Sequence, residues 1–211
     1  MKRKIKAVLF DIDGSLIDSQ LALYYVIKDL LKKFENKVKT KKEILKPMGS
    51  TSRVWIKKLA PKISKAKLEE MRKWMAYEYA KHYMTRFADP MKYSRYTLKQ
   101  LKKRGIKVGI VTNQHDNQEI VSRKILAFNK FDVIITSDHV KKSKPSPEGV
   151  IKAMKKLNVK PDEVIYVGDT INDVKAARAA GVEVYLLKHR YNKNIKSKKI
   201  SKLKDILKLI S

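Results

Sequence analysis

Residues 5–19 read IKAVLFDIDGSLIDS. The apolar run over 5–10 stops abruptly at Asp11, the pattern of a strand buried on both faces of a parallel sheet. Runs at 106–111, 132–135 and 163–167 repeat it, and another at 182–187 comes near the end. Between them the spacing of apolar residues predicts helices near 91–104, 116–127, 147–157 and 171–180. Strands that alternate with helices imply an α/β fold: a doubly wound parallel sheet covered on both faces.

One interval breaks that rhythm. Residues 11–105 separate the first strand from the second, where a simple crossover unit needs only about 30 residues. The interval is therefore expected to hold an inserted all-helical cap domain over 15–87, with the core formed by 1–14 and 88–211. Within the insert, LALYYVIKDLLKKF (21–34) has helical periodicity, and a second long helix is predicted over 64–87 from the capping-type start SKAK. Pro47, Gly49 and Pro61 punctuate two shorter helices between them. Met71, Trp74, Met75, Tyr79 and Tyr83 form a stripe that reads as packed core.

Composition bounds the function classes. At about 150 residues per domain, 211 residues make one to two domains. With no cysteine, disulfides, thiolate metal sites and thiol nucleophiles are excluded. The opening MKRKIKAVLF is too short an apolar stretch for a signal or a membrane span, so a cytoplasmic protein without membrane association is expected. Lys plus Arg number 50 against 21 Asp plus Glu, a net charge of +29, which raises non-specific affinity for polyanions. The basic residues are spread over every segment, without the aromatic interleaving of a nucleic-acid reader. The tail 188–211 carries nine Lys plus Arg and one Asp and ends in KDILKLIS, read as a solvated face on a final packed helix, with an RNA-contacting tail as the other reading.

The scarce acids are clustered: Asp11, Asp13 and Asp18 in one segment, Asp169 and Asp173 in another. In open α/β sheets ligands bind beyond the carboxyl ends of the strands. Those ends deliver Asp11-Ile12-Asp13-Gly14, Thr112-Asn113 and Gly168-Asp169-Thr170 followed by Asp173, and the loop after the third strand carries Lys144-Pro145. Asp11 and Asp13, two apart in extended chain, point the same way. Carboxylates this close repel unless a cation neutralises them, and all-oxygen ligation suits Mg²⁺. A carboxylate beside Mg²⁺ can attack a phosphoryl group, and a second can protonate the leaving oxygen and then activate water. Thr112, Asn113 and Lys144 supply donors for the charge that develops on phosphoryl oxygens, and Gly14 lets the chain turn toward the insert. Taken singly, each cluster also has a plain structural reading: a loop pair, a helix N-cap, a first-turn acid.

In their order and position these residues resemble the haloacid dehalogenase superfamily. VLFDIDGSLIDS (8–19), VTN (111–113), Lys144 in KPSPE and GDTINDVKAARAAG (168–181) resemble its four motifs and span essentially the whole core. The resemblance implies Asp11 as nucleophile and Asp13 as general acid and base. It implies Mg²⁺ held by Asp11, the Asp13 carbonyl and Asp169, with Asp173 in close support, and a phosphate surrounded by Thr112, Asn113 and Lys144. The insert is similar to the cap of the phosphoglycolate phosphatase and β-phosphoglucomutase branch. Ser15 stands where Thr is usual in that family, DPMKYSRYTLKQL replaces a familiar proline-and-glycine run, and the first insert helix lacks the histidine of β-phosphoglucomutase-like proteins.

The expected function is a Mg²⁺-dependent phosphatase acting on a small phosphorylated metabolite, phosphoglycolate-like or a sugar phosphate, through a phospho-Asp11 intermediate. Ser50, Thr51 and Arg53 in the loop GSTSR are candidate substrate contacts, Arg53 for a carboxylate or second phosphate, or equally a cap and a solvated cation. A sugar phosphomutase and a basic nucleic-acid-associated protein on the same fold are the alternative readings.

Overall fold

A computed structural model describes residues 4–48 and 50–210; the predicted break at Gly49 lies outside the described residues. The chain divides into two compact units, one of residues 1–18 and 89–211, the other of residues 19–88. Each is taken by itself.

The first unit is built on a six-stranded sheet. In chain order its strands are β1 (Ala7–Phe10), β4 (Lys107–Val111), β5 (Val133–Ile135), β6 (Val164–Gly168), β7 (Glu183–Leu187) and β8 (Lys198–Ile200). They lie in the order β5-β4-β1-β6-β7-β8, and every neighbouring pair is parallel. Between β1 and β4 in the chain, the two-residue strands β2 (Ile17–Asp18) and β3 (Asp89–Pro90) pair antiparallel. The helices of this unit are α6 (Ser94–Lys103), α7 (Asp116–Leu126), α8 (Glu148–Leu157) and α9 (Ile171–Ala179).

The chain runs from β1 outward through β4 to β5, then returns to β6 on the other side of β1. That reversal opens a crevice at the carboxyl ends of β1 and β6, where doubly wound sheets bind ligands. All four residues of β1 are buried, as a central strand covered on both faces requires. Ala7, Leu9, Val164 and Tyr166 pack with Val150, Ala153 and Leu157 of α8 and Val174 and Ala177 of α9; Val8 and Phe10 alternate to the other face. The register Leu9↔Tyr166 and Leu9↔Gly109 fixes how far each strand end projects.

Two expectations need correction in this unit. The segment 188–211 contains β8, a short edge strand absent from the reading of the sequence. A 3₁₀ helix over Leu203–Lys208 takes in the KDILK of the terminal KDILKLIS in place of an α-helix, and Ser211 lies outside the described residues. Leu203, Ile206 and Leu207 are buried, so the segment packs against the unit although its winding is 3₁₀. Ser15 to Asp18 sit within the sheet unit: Leu16 accepts from the Met91 N–H (2.9 Å), and Ile17 and Asp18 form β2.

The second unit is helical: α1 (Gln20–Glu35), α2 (Lys41–Leu45), α3 (Ser52–Leu59), α4 (Lys65–Glu78) and α5 (Met84–Phe87). Leu23, Val26, Ile27, Leu30 and Leu31 form the buried stripe of α1 at the expected spacing. Ser64 caps α4 by accepting from the Lys67 N–H (3.2 Å). The helix predicted over 64–87 is a continuous helical run widened by one π turn, Tyr79–Tyr83, between α4 and α5. Met71, Met75 and Tyr79 are buried, Trp74 and Tyr83 half-buried. Trp55 Nε1 donates to the Ile44 carbonyl (2.7 Å), and the Tyr83 hydroxyl donates to Asp29 Oδ2 (2.6 Å). No described helix is long and apolar enough to cross a membrane.

Candidate active site

The ends of β1, β4 and β6 and the loop before α8 bring Asp11, Thr112, Lys144, Asp169 and Asp173 to one place. Asp11, Asp169 and Asp173 are buried, and each offers one oxygen such that all three lie within 4.8 Å of one another. Lys144, itself buried, reaches across them. Its Nζ is 2.8 Å from Asp11 Oδ1 and donates to Asp173 Oδ1 (2.7 Å) and to the Tyr166 hydroxyl (3.1 Å). The Tyr166 hydroxyl in turn lies 2.9 Å from the Val111 carbonyl, so the ammonium is braced by β6 and β4 together.

The local chain explains each placement. Asp173 stands in the first turn of α9, where its Oδ2 accepts from the Thr170 N–H (2.9 Å) and Thr170 hydroxyl (2.6 Å). Asp173 is thus a first-turn acid, but a buried one and not the solvated acid of the plain reading; its other oxygen carries Lys144. Gly168 is required for this packing, since a Cβ there would lie 2.5 Å from that of Asp173. Gly14 turns with φ +75°, as expected, and a Cβ on it would lie 2.2 Å from Asp169 Oδ2. The Asn113 amide bonds the Lys144 backbone in both directions, Nδ2 to its carbonyl (3.1 Å) and Oδ1 from its N–H (3.0 Å). Asn113 therefore locks the lysine loop, and α7 begins beyond it at Asp116. The Thr112 hydroxyl is buried and accepts from the Gln114 N–H (3.2 Å).

Charge in this cluster is unbalanced: three carboxylates face one ammonium. Burial raises Asp11, and the neighbouring Asp173 and Asp13 add to it against the pull of Lys144, leaving its carboxyl at about 7. Burial, then Asp173 and Asp11, push Asp169 well above the carboxylate range. Asp173 is driven up by burial too, but Lys144 and Thr170 outweigh it and hold it low. Lys144, despite burial, is kept protonated by Asp11 and Asp173. Asp169 Oδ1 is a buried oxygen with no hydrogen-bond partner among the described residues, which is costly unless something else meets it. A divalent cation would restore neutrality and supply that partner, so Asp11, Asp169 and Asp173 fit such an ion.

Asp13 is not among the three clustered carboxylates. Its Oδ2 accepts from Gln114 Nε2 (2.9 Å), whose Oε1 accepts from the Ser122 hydroxyl (3.0 Å). Gln114 was not singled out in the sequence; a neutral amide one residue after Thr112-Asn113 gives no charge signal. Tyr166 and the turn residues His189, Tyr191 and Asn192 were likewise missed. The Tyr191 hydroxyl donates to Asp169 Oδ2. Burial and the Asp169 carboxylate push its pKa far above the usual phenol value. Ser50, Thr51 and Arg53 belong to the helical unit. Thr51 precedes α3 with extended backbone but makes no side-chain capping bond, and the Arg53 guanidinium pairs with Glu69.

A family model described as haloacid dehalogenase-like hydrolase matches residues 8–187. The chain is 29% identical over 219 residues to a phosphoglycolate phosphatase of Aquifex aeolicus, covering 98% of this chain and 97% of that protein. It is 30% identical over 217 residues to the pyrophosphatase PpaX of Bacillus anthracis, covering 99% and 97%. A solved structure from Bacteroides fragilis, described as a haloacid dehalogenase-like hydrolase, superposes with TM-score 0.88 at 27% identity over 96% of this chain and 100% of that one. Motifs, strand order and these likenesses agree: the chain belongs to the haloacid dehalogenase-like hydrolases.

Proposed function

We propose that the protein is a Mg²⁺-dependent phosphatase that hydrolyses a small phosphomonoester, phosphoglycolate-like or a sugar phosphate, through a phosphoaspartate on Asp11. The observation that carries this reading is the unpartnered Asp169 Oδ1 beside Asp11 and Asp173, two buried carboxylates that share the single Lys144 ammonium. All donors there are oxygens, which suits Mg²⁺. The ion, when bound by Asp11, Asp169 and Asp173, supplies positive charge to the transferring phosphoryl oxygens.

The chain's own residues do the rest. The Asp11 oxygen not held by Lys144 attacks phosphorus, and the bond from phosphorus to the substrate oxygen breaks. Asp13 gives that oxygen its proton. Asp13, now ionised and braced by the Gln114 amide, takes a proton from water as the water oxygen attacks the phosphoaspartate. The bond to Asp11 breaks, and inorganic phosphate leaves. The Lys144 ammonium and the Thr112 hydroxyl offset charge on the phosphoryl group. The 19–88 unit is proposed as the cap that selects the substrate, with Ser50, Thr51 and Arg53 its candidate contacts.

The test is phosphate release from p-nitrophenyl phosphate, then from phosphoglycolate, sugar phosphates and pyrophosphate, each with and without Mg²⁺. Activity should require the metal, and Asp11→Asn should lower kcat by more than about 10⁴-fold. Wild-type turnover by Asp11→Asn would refute the nucleophile.

A further inference from the structure

We propose that the turn after β7, residues 189–192, is a clasp that presets the Asp169 carboxylate for its cation, with Tyr191 as the positioning residue. The inference deepens the proposed function, since it rests on Asp11, Asp169 and Asp173 holding a divalent ion.

Asp169 is gripped at two points. Asn192 Nδ2 donates to the Asp169 carbonyl and to the Leu187 carbonyl, both at 2.8 Å, tying the end of β6 to the end of β7. The Tyr191 hydroxyl donates to Asp169 Oδ2. With one carboxylate oxygen held, the group cannot rotate freely, and the other oxygen, Oδ1, is the buried one left without a partner. The turn is itself fixed. Asn192 Oδ1 accepts from the His189 N–H (3.0 Å), and His189 Nε2 donates to the Gly14 carbonyl (2.7 Å). The His189 ring stacks on that of Tyr191, 4.8 Å between centroids and 8° from parallel. Gly14 closes the arrangement, because its Cα position leaves a Cβ only 2.2 Å from Asp169 Oδ2 and 2.7 Å from the Tyr191 hydroxyl. The loop after β1, the end of β6 and the turn after β7 thus form one bonded ring around a single carboxylate. Outer groups that orient a ligand in this way commonly set metal affinity by 10- to 100-fold.

The experiment measures Mn²⁺ binding to metal-free protein by electron paramagnetic resonance and Mg²⁺ binding by calorimetry, for wild type and Tyr191→Phe. The substitution keeps the ring and its stack and removes only the hydroxyl. The dissociation constant should rise about tenfold, with the metal-free variant still folding cooperatively. The Mg²⁺ concentration for half-maximal p-nitrophenyl phosphate hydrolysis should rise by a similar factor, while KM for the ester at saturating Mg²⁺ stays at the wild-type value. Equal metal affinity in wild type and variant would overturn the clasp and leave the cation site standing. Failure of the wild type to bind either ion would overturn both. Should Tyr191→Phe not fold, His189→Phe, which keeps the stack and loses only the bond to Gly14, is expected to weaken binding several-fold, and unchanged affinity there would equally refute the idea.

Discussion

The two units handle charge in opposite ways. At the carboxyl end of the sheet, Asp11, Lys144, Asp169 and Asp173 are all buried and bound into one network. In residues 19–88 the interior is aliphatic, aromatic and methionine-rich, and the ion pairs lie outside it: the Arg53 side chain, paired to Glu69, is 50% exposed. Buried charges are expensive and tolerate no missing partner, whereas exposed pairs contribute little. The buried cluster at the end of the sheet has therefore committed its charges to holding one geometry, whereas pairs elsewhere on that unit, such as Lys198 with Glu183, lie at the surface. The helical unit keeps ion pairs such as Arg53–Glu69 at its surface, where they can exchange partners with solvent.

The contrast can be broken most forcefully at Lys144. Lys144→Met leaves Asp11 and Asp173 buried without their cation, and urea denaturation should show a loss of about 3–5 kcal/mol together with lost phosphatase activity. A stability within 1 kcal/mol of wild type would mean that the network is looser than its distances imply.

Asp132 offers an intermediate case within the same unit. Burial pushes its carboxyl up, but Lys102, 2.7 Å from both oxygens, and the Val108 N–H, 2.7 Å from Oδ2, outweigh burial and hold it below its ordinary value. A folded pKa below the unfolded one contributes stability above the unfolded value and loses it as pH falls through the folded one. Asp132→Asn should thus melt below wild type at pH 7, and the two curves should converge below about pH 4. A gap of constant size across that range would show that the carboxylate charge is not the cause.

The smallest effect is expected at Arg53. Arg53→Ala should change stability by less than about 1 kcal/mol and leave p-nitrophenyl phosphate turnover near wild type. KM should rise only for substrates bearing a second anionic group, and a uniform loss across all esters would remove Arg53 from the selecting role.

Much of this was legible in the sequence, for physical reasons that can be named. Strands β1, β4, β5, β6 and β7 each bury a short apolar run and end on polar residues, so their existence and the convergence of Asp11, Thr112, Lys144 and Asp169 follow from pattern and topology. What was hidden depends on contacts without a periodic signature. β8 has only three residues and two of them are lysines, which conceals it in a basic tail. Tyr191 and Asn192 reach Asp169 from 22 and 23 residues away, and a lysine-rich segment gives no reason to seek partners for an aspartate there. Gln114 and Tyr166 matter because they satisfy charged neighbours, a property of three-dimensional packing. The π turn at Tyr79–Tyr83 alters the winding of a helix without altering its apolar spacing enough to be read.

The short antiparallel pair, Ile17↔Pro90 and Asp18↔Asp89, has a topological consequence. Seventy residues leave and return through two adjacent backbones, so the whole helical unit is, in connectivity, a hairpin loop. A splice from Asp18 to Asp89 would leave every member of the carboxylate network and its clasp on one continuous scaffold. In connectivity the carboxylate cluster and the helical unit are thereby separable cassettes, and a foreign insert grafted at that seam would leave the cluster's own chain segments unbroken.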